Sequence, residues 1–324
     1  MERIHERIKE RIAQLISEGK ADRFIGWKKG EFVHDQTPAT FTDANDSDFV
    51  YDSFSSPNLS KYLIAESKKD GKIIALLKPC DTYSFNQLLK EHRINRDNVH
   101  IIGIPCAGKI DAHKIRERGI DGVLSVEEAG KDVIVKTLYG NVTVPRGEIM
   151  LERCLSCRGS KHMIADEVIE RESESTFVPQ DRFAQVNELD AMTADEKFAF
   201  WQGQLSKCIR CNSCRNVCPA CSCFKCVFDN PASGVASKVS SDKSEDSLFH
   251  IIRAFHVAGR CTDCGECSRV CPQSIPLHLL NRKFIHDINT LYGEYQAGED
   301  ISLECPLTDF KENDSEPRGT GGTK

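Results

Sequence analysis

The sequence predicts two domains of different class, an α/β domain with a mixed sheet followed by an all-α domain that carries two runs of cysteines. Strand–turn–helix units that begin near residue 70 predict the first domain, and helical periodicity around the cysteine runs predicts the second. The expected boundaries are 1–19 for an N-terminal amphipathic helix, 20–176 for the α/β domain, 190–293 for the all-α domain and 294–324 for a C-terminal extension. The polar tail at 311–324 is expected to be disordered.

The α/β assignment depends on two consecutive strand–turn–helix units. Apolar residues at 73–77 and 99–104 predict buried strands, and each run is followed by a proline–cysteine turn and a helical stretch. Further β-rich runs at 133–138 and 142–144 complete the predicted mixed sheet.

The apolar residues at 4–16 repeat at helical spacing among acidic and basic residues. A targeting helix would be poor in acidic residues, so this segment is expected to pack on its own domain.

Helical periodicity flanks both cysteine runs in the second half of the chain. Thr193 and Glu196 form a capping box that predicts the start of a helix before the first run. Apolar residues at 248–257, closed by a glycine, predict a helix before the second run. A third helix is predicted over 277–291. These helices predict an all-α domain built around the cysteines.

Composition excludes several classes of function. The chain has 324 residues, a net charge of −6 and no basic stripe, which argues against a nucleic-acid partner. No apolar run reaches the length that spans a bilayer, so direct membrane insertion is not expected. Half of the 16 cysteines lie in two metal-ligand runs, which need reduced thiolates, and no signal peptide is visible. A cytoplasmic location is therefore expected.

Two cysteine runs share the spacing C-x2-C-x2-C-x3-C-P, at 208–219 and at 261–272. Three thiolates on one tight loop hold three irons of a 4Fe-4S cluster, and the fourth cysteine, before proline, reaches the neighbouring cluster. Zinc is the alternative, but zinc sites usually pair two short C-x2-C arms. The expected ligand sets are Cys208, Cys211, Cys214 and Cys271 for the first cluster, and Cys261, Cys264, Cys267 and Cys218 for the second.

Four further cysteines predict a third 4Fe-4S site in the α/β domain. Cys80 and Cys106 each follow a predicted strand, and ligands collect at the carboxyl ends of parallel strands. Cys154 and Cys157 would complete four thiolates. The alternative is that Cys80 and Cys106 are small buried apolar residues. Cys221, Cys223, Cys226 and Cys305 remain, and they are interpreted either as ligands of a further metal site or as spare thiols.

Two weaker sequence signals, a near match to a phosphate-binding loop and a pair of histidines, are not interpreted as functional sites. Residues 103–109 nearly match a phosphate-binding loop, but Ile110 stands where a serine or threonine would hold magnesium. Nucleotide hydrolysis is therefore not expected. His250 and His256 lie on or near the apolar face of a predicted helix, which favours core or surface histidines over metal ligands.

Four short motifs follow one another in the first domain: K-P-C-D at 78–81, G-x-P-C-x-G at 103–108, C-x2-C at 154–157 and A-D at 165–166. With these motifs, the first domain resembles the β-subunit family of coenzyme F-420 hydrogenases and dehydrogenases. Members of this family are iron–sulfur flavoproteins or β subunits of formate dehydrogenases and hydrogenases. The second domain, with its run at 208–219, resembles the helical ferredoxin modules of heterodisulfide reductase. The resemblance implies an all-α ferredoxin fold for that domain.

Together, the motifs and the resemblance favour a non-catalytic electron-transfer subunit of a soluble oxidoreductase complex. The expected partner is a catalytic subunit of the formate dehydrogenase, hydrogenase or heterodisulfide-reductase type. The alternative function is an oxidoreductase with bound FAD that itself reduces or oxidises a deazaflavin or a similar soluble carrier. No glycine-rich dinucleotide fingerprint is present, so neither catalytic nor flavin-binding residues are assigned.

Overall fold

The computed structural model describes residues 2–159, 161–170, 179–233 and 243–309. The chain divides into two compact units, Met1–Arg182 (unit 1) and Phe183–Lys324 (unit 2). Two sequence-based expectations, the end of the α/β domain at 176 and the disordered tail at 311–324, lie outside the described residues.

Unit 1 combines strands and helices in alternation. Its helices are α1 (Glu2–Ser17), α2 (Leu63–Glu66), α3 (Pro79–Lys90), α4 (Ala112–Glu117), α5 (Arg146–Ile149) and α6 (Glu152–Leu155), with 3-10 turns at Ser60–Tyr62 and Arg96–Asn98. Its strands are β1 (Arg23–Lys29), β2 (Gln36–Phe41), β3 (Phe49–Val50), β4 (Ile73–Leu77), β5 (Val99–Gly103), β6 (Val123–Ala129), β7 (Asp132–Thr137), β8 (Gly140–Pro145) and β9 (Glu167–Val168).

The main sheet of unit 1 is mixed, which confirms that part of the predicted fold class. Its strand order is β2-β1-β4-β5-β9, with β3 paired to β1. β1 runs antiparallel to β2 and β3, whereas β4 is parallel to both β1 and β5, and β9 is parallel to β5. The β-rich runs expected after residue 130 do not join this sheet. They form β7 and β8 of a separate antiparallel sheet, β6-β7-β8.

The core of unit 1 is built on the two central parallel strands. Every residue of β4 is buried, as expected for a parallel strand covered on both faces. Helix α1 adds Ile8, Ile12 and Leu15 to the same core, with each side chain no more than 1% exposed. Its amphipathic periodicity therefore serves packing within unit 1. This core fixes where β4 and β5 end.

Unit 2 is helical in the part that the structure describes. Its helices are α7 (Ala184–Ala191), α8 (Ala194–Leu205), α9 (Ser213–Asn216), α10 (Lys243–Val257), α11 (Glu266–Arg269) and α12 (Leu277–Tyr292), with 3-10 turns at Val227–Asp229 and Pro231–Ser233. Helix α10 packs against α8 and α12. None of the helices in the described ranges is long and apolar enough to cross a bilayer.

Helix α8 begins at the predicted capping box. The Thr193 Oγ1 accepts a hydrogen bond from Glu196 N (3.3 Å), and Glu196 Oε2 accepts one from Thr193 N (2.8 Å). These reciprocal bonds satisfy two of the N–H groups that a helix start leaves without partners. The cap therefore sets the direction in which α8 leads into the first cysteine run.

A turn at Gly259 separates α10 from the second cysteine run. Gly259 has a φ of 69°, and a Cβ at this position would lie 2.2 Å from Cys305 Sγ. The Tyr295 hydroxyl donates to Gly259 O (2.9 Å), and both Tyr295 and Cys305 are buried with Ile288 in a small core. Only glycine fits this turn, because the segment after α12 packs directly on it.

Candidate metal centres

The two cysteine runs of unit 2 fold with matching backbone conformations. In the first run, Arg210 and Asn212 have φ values of 54° and 62°. At the equivalent positions of the second run, Asp263 and Gly265 have φ values of 58° and 63°. Left-handed residues turn the chain sharply, and Asn, Asp and Gly tolerate this conformation best. Each run then enters a one-turn helix, α9 or α11, so the two loops are structural repeats.

The same turns direct backbone N–H groups at cysteine sulfurs. Arg210 N donates to Cys208 Sγ at 3.3 Å. The backbone N–H of Asp263 donates in the same way to Cys261. Hydrogen bonds to sulfur are a recurring feature of iron–sulfur sites and help to set their potentials. The loops therefore have donors in place where thiolates would carry negative charge.

The last cysteine of each run lies beside the other run. Cys271 packs in one apolar cluster with Cys208 and Cys214 of the first run and with Cys267 of its own, and its negative charge adds to burial in raising the pKa of Cys208 and Cys214. Cys218 packs around Val257 with Cys261, and it acts in the same way on the pKa of Cys261. The structure thus brings Cys271 to the first run and Cys218 to the second.

The remaining cysteines of the two runs differ in exposure. Cys211 is exposed at the surface of the first run, whereas Cys214 and Cys267 are buried. Burial raises the pKa of Cys214 to about 12 and also raises the pKa of Cys264 and Cys267. Thiols in such surroundings ionise when a metal ion neutralises them. The donor set therefore fits a buried, thiolate-bound metal cluster.

Helix α10 lines both runs with polar side chains. The His250 side chain, 2% exposed, places Nε2 3.2 Å from Cys208 Sγ. One turn later, the guanidinium of Arg253 hydrogen-bonds Cys267. The sequence favours a core or surface role for His250 and gives no separate signal for Arg253. The apolar periodicity of α10 reveals which face is buried, but it does not reveal that this face meets sulfur.

Helix α12 contributes a second group of polar side chains. Asn281 Nδ2 donates to Cys267 Sγ at 3.6 Å. Arg282 forms an ion pair with Asp263 (3.0 Å) that holds the second loop, and the Arg282 side chain is 3% exposed. His278 Nδ1 lies 2.8 Å from Ser268 Oγ. These residues follow the second run in sequence, and α12 folds back along it.

Acid is expected to destabilise unit 2 through His278. Burial, followed by the charge of Arg282, lowers the pKa of His278 from 6.5 to about 3. As the pH falls, His278 is therefore protonated in the unfolded chain before it is protonated in the folded chain. Its contribution to the free energy of unfolding is fully present above pH 6.5 and is lost as the pH falls towards 3. Replacing His278 with glutamine should remove about 1.4 kcal/mol per pH unit from the slope of unfolding free energy in this window.

Urea titrations between pH 6.5 and 4 measure this slope. His256→Gln, a substitution of an exposed residue on α10, controls for the exchange itself. An unchanged slope in His278→Gln would show that His278 does not account for the acid sensitivity.

The four cysteines outside the two runs of unit 2 occupy different surroundings. Cys221 packs beside Cys218 and Cys261, whereas Cys223 is exposed. Cys226 is hydrogen-bonded by Arg215. Cys305 is 8% exposed and lies against Gly259. The structure therefore does not gather these four thiols into one site.

A second group of cysteines lies at the carboxyl edge of the unit 1 sheet. β4 and β5 are parallel neighbours whose last residues, Leu77 and Gly103, are paired. Cys80 opens α3 three residues after Leu77, and Cys106 follows Gly103 by the same interval. The adjacent strand ends thus place both cysteines at one edge of the sheet.

Cys154 and Cys157 lie at the same edge. An added Cβ at Gly159 would be 3.0 Å from Cys80 N and 3.2 Å from Cys157 Sγ, so these two cysteines are neighbours. Burial raises the pKa of Cys157 to about 12, and the negative charges of Cys154 and Cys106 add to this effect. Cys157 therefore lies within reach of the charges of the other three thiols.

Two buried lysines stand beside these thiols. Lys109 is 1% exposed; its N–H donates to Cys154 Sγ at 3.4 Å and its Nζ donates to Asp52 O at 2.6 Å. Burial lowers the pKa of Lys109 to about 8. Lys78 is fully buried, and its Nζ pairs with Asp81 Oδ2 at 2.9 Å. Buried cations next to four thiols fit a site that holds net negative charge.

A family model described as a 4Fe-4S dicluster domain matches residues 204–275. The match covers both cysteine runs of unit 2. The match supports iron–sulfur clusters in this part of the chain, as predicted.

Curated relatives extend the similarity to most of the chain. The F420-dependent formate dehydrogenase subunit beta of Methanocaldococcus jannaschii is 26% identical and covers 89% of this chain and 90% of its own length. The F420-dependent formate dehydrogenase 1 subunit beta of Methanococcus maripaludis is 24% identical over 66% of this chain and 71% of its own. The resemblance predicted from the motifs is confirmed.

A solved structure is similar to part of this chain. It belongs to the F420-reducing [NiFe] hydrogenase complex from Methanosarcina barkeri, studied by xenon derivatization. The match has a TM-score of 0.37 and 17% identity, and it covers 46% of this chain and 58% of that chain.

Proposed function

We propose that this protein is the iron–sulfur electron-transfer subunit of an oxidoreductase complex. The observation that carries the proposal is the pair of repeated cysteine loops in the dicluster domain, each with backbone N–H donors aimed at sulfur and each approached by the last cysteine of the other. When bound, 4Fe-4S clusters accept and release single electrons. The residues of unit 2 hold the thiolates, exclude water and neutralise charge.

In this proposal, the ligands are crossed between the two loops. The first cluster takes Cys208, Cys211, Cys214 and Cys271, and the second takes Cys261, Cys264, Cys267 and Cys218. The packing of Cys271 with the first run and of Cys218 with the second supports this assignment. We further propose an all-α ferredoxin domain over 190–293, which is supported by the helical elements of the described residues.

Unit 1 is proposed to hold a third 4Fe-4S cluster on Cys80, Cys106, Cys154 and Cys157. The neighbouring ends of β4 and β5, the closeness of Cys80 to Cys157 and the buried lysines support this site. Cys221, Cys223 and Cys226 are left out of the ligand sets. They follow the first run at positions that have no cysteine counterpart after the second run, and Arg215 is the partner of Cys226.

The proposed partner is a catalytic subunit in the same complex. The relatives that cover most of the chain are named as β subunits of formate dehydrogenases, and this supports a catalytic partner of the formate dehydrogenase, hydrogenase or heterodisulfide-reductase type. Cys211 is exposed and the neighbouring Ile209 is 61% exposed, so the first loop offers a surface for electron exchange. The abundance of free thiols supports a cytoplasmic location.

This function is tested by measuring the iron, sulfide and flavin content of the anaerobically purified chain. About eight irons would support the two clusters of unit 2, and about twelve would support the third as well. Visible absorption that dithionite bleaches reversibly is also expected. Absence of iron would overturn the proposal, and stoichiometric flavin would favour an oxidoreductase that acts on a soluble carrier.

Gly159→Ala is expected to disturb the third site selectively. The added Cβ would press on Cys80 N at 3.0 Å and on Cys157 Sγ at 3.2 Å, so one of the two cysteines must move. The iron content should then fall from about twelve towards about eight. Gly147→Ala, where a Cβ meets nothing within 4 Å, is the matched control and should retain full iron. Full iron in Gly159→Ala would contradict the site.

A further inference from the structure

Arg253 is a buried cation that meets cysteines of both runs. Arg253 lies on α10 and is only 3% exposed. Its guanidinium hydrogen-bonds Cys267 of the second run. Burial opposes its positive charge, but the charges of Cys267, Cys218 and Cys214 outweigh burial and raise the pKa of Arg253. One guanidinium therefore faces two thiols of the first run and one thiol of the second.

The other buried arginines of unit 2 have carboxylate partners. Arg210 pairs with Asp246 at 3.4 Å, and Arg282 pairs with Asp263 at 3.0 Å. Among the residues that the structure describes, Arg253 has no carboxylate partner. Its Nε and Nη1 atoms are buried and, within the same residues, have no hydrogen-bond acceptor. A buried charge without a counter-charge is strongly destabilising. The counter-charge of Arg253 must therefore come from the thiolates and from what they bind.

The unused donors of Arg253 fit the proposed clusters. A 4Fe-4S cluster with four thiolate ligands carries net negative charge and exposes sulfur acceptors between its ligands. Nε and Nη1 supply two charged N–H donors beside those ligands. Guanidinium is well suited to this position because it stays protonated when buried and presents its donors in a fixed plane.

We propose that Arg253 is a positioning cation shared by the two clusters of unit 2 and that it raises the midpoint potential of both. This inference rests on the proposed function. Each reduction adds one electron, which dithionite supplies in the experiment below, and so increases the negative charge beside Arg253. A fixed positive charge favours the more negative state. No proton uptake is needed, because the guanidinium is already charged.

The test is a potentiometric titration of the full chain, followed by electron paramagnetic resonance, in Arg253→Gln and Arg253→Lys. At the wild-type midpoint potential, Arg253→Gln should lower the ratio of reduced to oxidised cluster at least tenfold at both centres, which corresponds to about 59 mV for a one-electron couple. Arg253→Lys retains the charge, so its midpoints should stay closer to wild type. Arg260→Gln, which removes a half-buried arginine next to the second run, should shift the midpoints less.

The iron content separates the possible failures. Wild-type protein without clusters would overturn the proposed function, and this inference with it. Clusters in the wild type together with unchanged midpoints in an iron-replete Arg253→Gln variant, or a shift at one centre alone, would overturn only the role of Arg253. If Arg253→Gln does not retain iron, Arg253→Lys decides: wild-type-like midpoints support the shared cation, and a tenfold or larger shift at full iron content contradicts it.

Discussion

Replacing Asp81 with alanine is expected to destabilise unit 1 by about 3–5 kcal/mol. The Asp81 carboxylate lies 2.9 Å from Lys78 Nζ, and the two side chains are no more than 1% exposed. Lys78 Nζ also donates to Pro57 O at 2.9 Å and lies 4.3 Å from the centroid of the Trp27 ring. None of these contacts replaces a negative charge. Asp81→Ala would leave the ammonium group buried without its counter-ion.

Urea unfolding of unit 1 measures this effect. Trp27 is the tryptophan of unit 1 and Trp201 is that of unit 2, so a Trp201→Phe background makes fluorescence report on unit 1. Asp48→Ala is the matched control. Asp48 pairs with Lys28 at 3.2 Å, but both side chains are about half exposed, so its loss should cost less than about 1 kcal/mol.

A double substitution of Lys78 and Asp81 separates the effect of losing the ion pair from the effect of leaving one charge buried alone. The double variant Lys78→Met/Asp81→Ala removes both charges and should recover much of the lost stability, since an apolar pair can replace a buried ion pair. Equal losses in Asp81→Ala and Asp48→Ala would show that burial of the pair does not matter. The residues next to Cys80 would then lack the electrostatic stabilisation described above.

Replacing Cys218 with alanine is expected to remove about four of the eight irons proposed for unit 2, and to remove them from the second cluster. Cys218 belongs to the first run in sequence, but it packs with Cys261 of the second. Cys218→Ala and Cys261→Ala should therefore leave the same residual spectrum after reduction. Cys271→Ala should instead resemble Cys208→Ala, because Cys271 packs with the first run.

Iron content and electron paramagnetic resonance of the four variants decide between crossed and uncrossed ligand sets. Cys223→Ala replaces an exposed thiol five residues after Cys218 and should retain all the iron. A residual spectrum of Cys218→Ala that matches Cys208→Ala would show that each run closes its own cluster. The ligand sets would then have to be reassigned.

Spacing and strand pattern predict where several cysteines of the candidate sites lie in the fold. The placement of Cys80 and Cys106 at one edge of the sheet follows from a local rule, because both residues come after buried runs and parallel neighbouring strands end at one edge. The loop conformation of the two runs is similarly local, because four residues of regular spacing fix how the chain must turn. These features could be predicted because each depends on residues close together in sequence.

The groups that surround the thiols could not be predicted in the same way. His250 lies 42 residues from Cys208, and Asn281 lies 14 residues from Cys267. A histidine or arginine on an apolar helix face gives the same sequence pattern whether it meets a carbonyl, a carboxylate or a sulfur. The sheet that β7 and β8 join could not be predicted for a related reason, since periodicity predicts strands but does not identify the sheet to which they belong.

The segment that packs on Gly259 links the second cysteine run to the end of the described chain. Tyr295 and Cys305, which contact the turn before Cys261, both follow α12 in the sequence. During synthesis, the first run emerges well before these residues, and domains fold as their sequences become available. The second loop would therefore reach its final shape only after residue 305 has been synthesised. Metal loading of this loop would accordingly wait for a segment that lies more than 30 residues beyond its last cysteine.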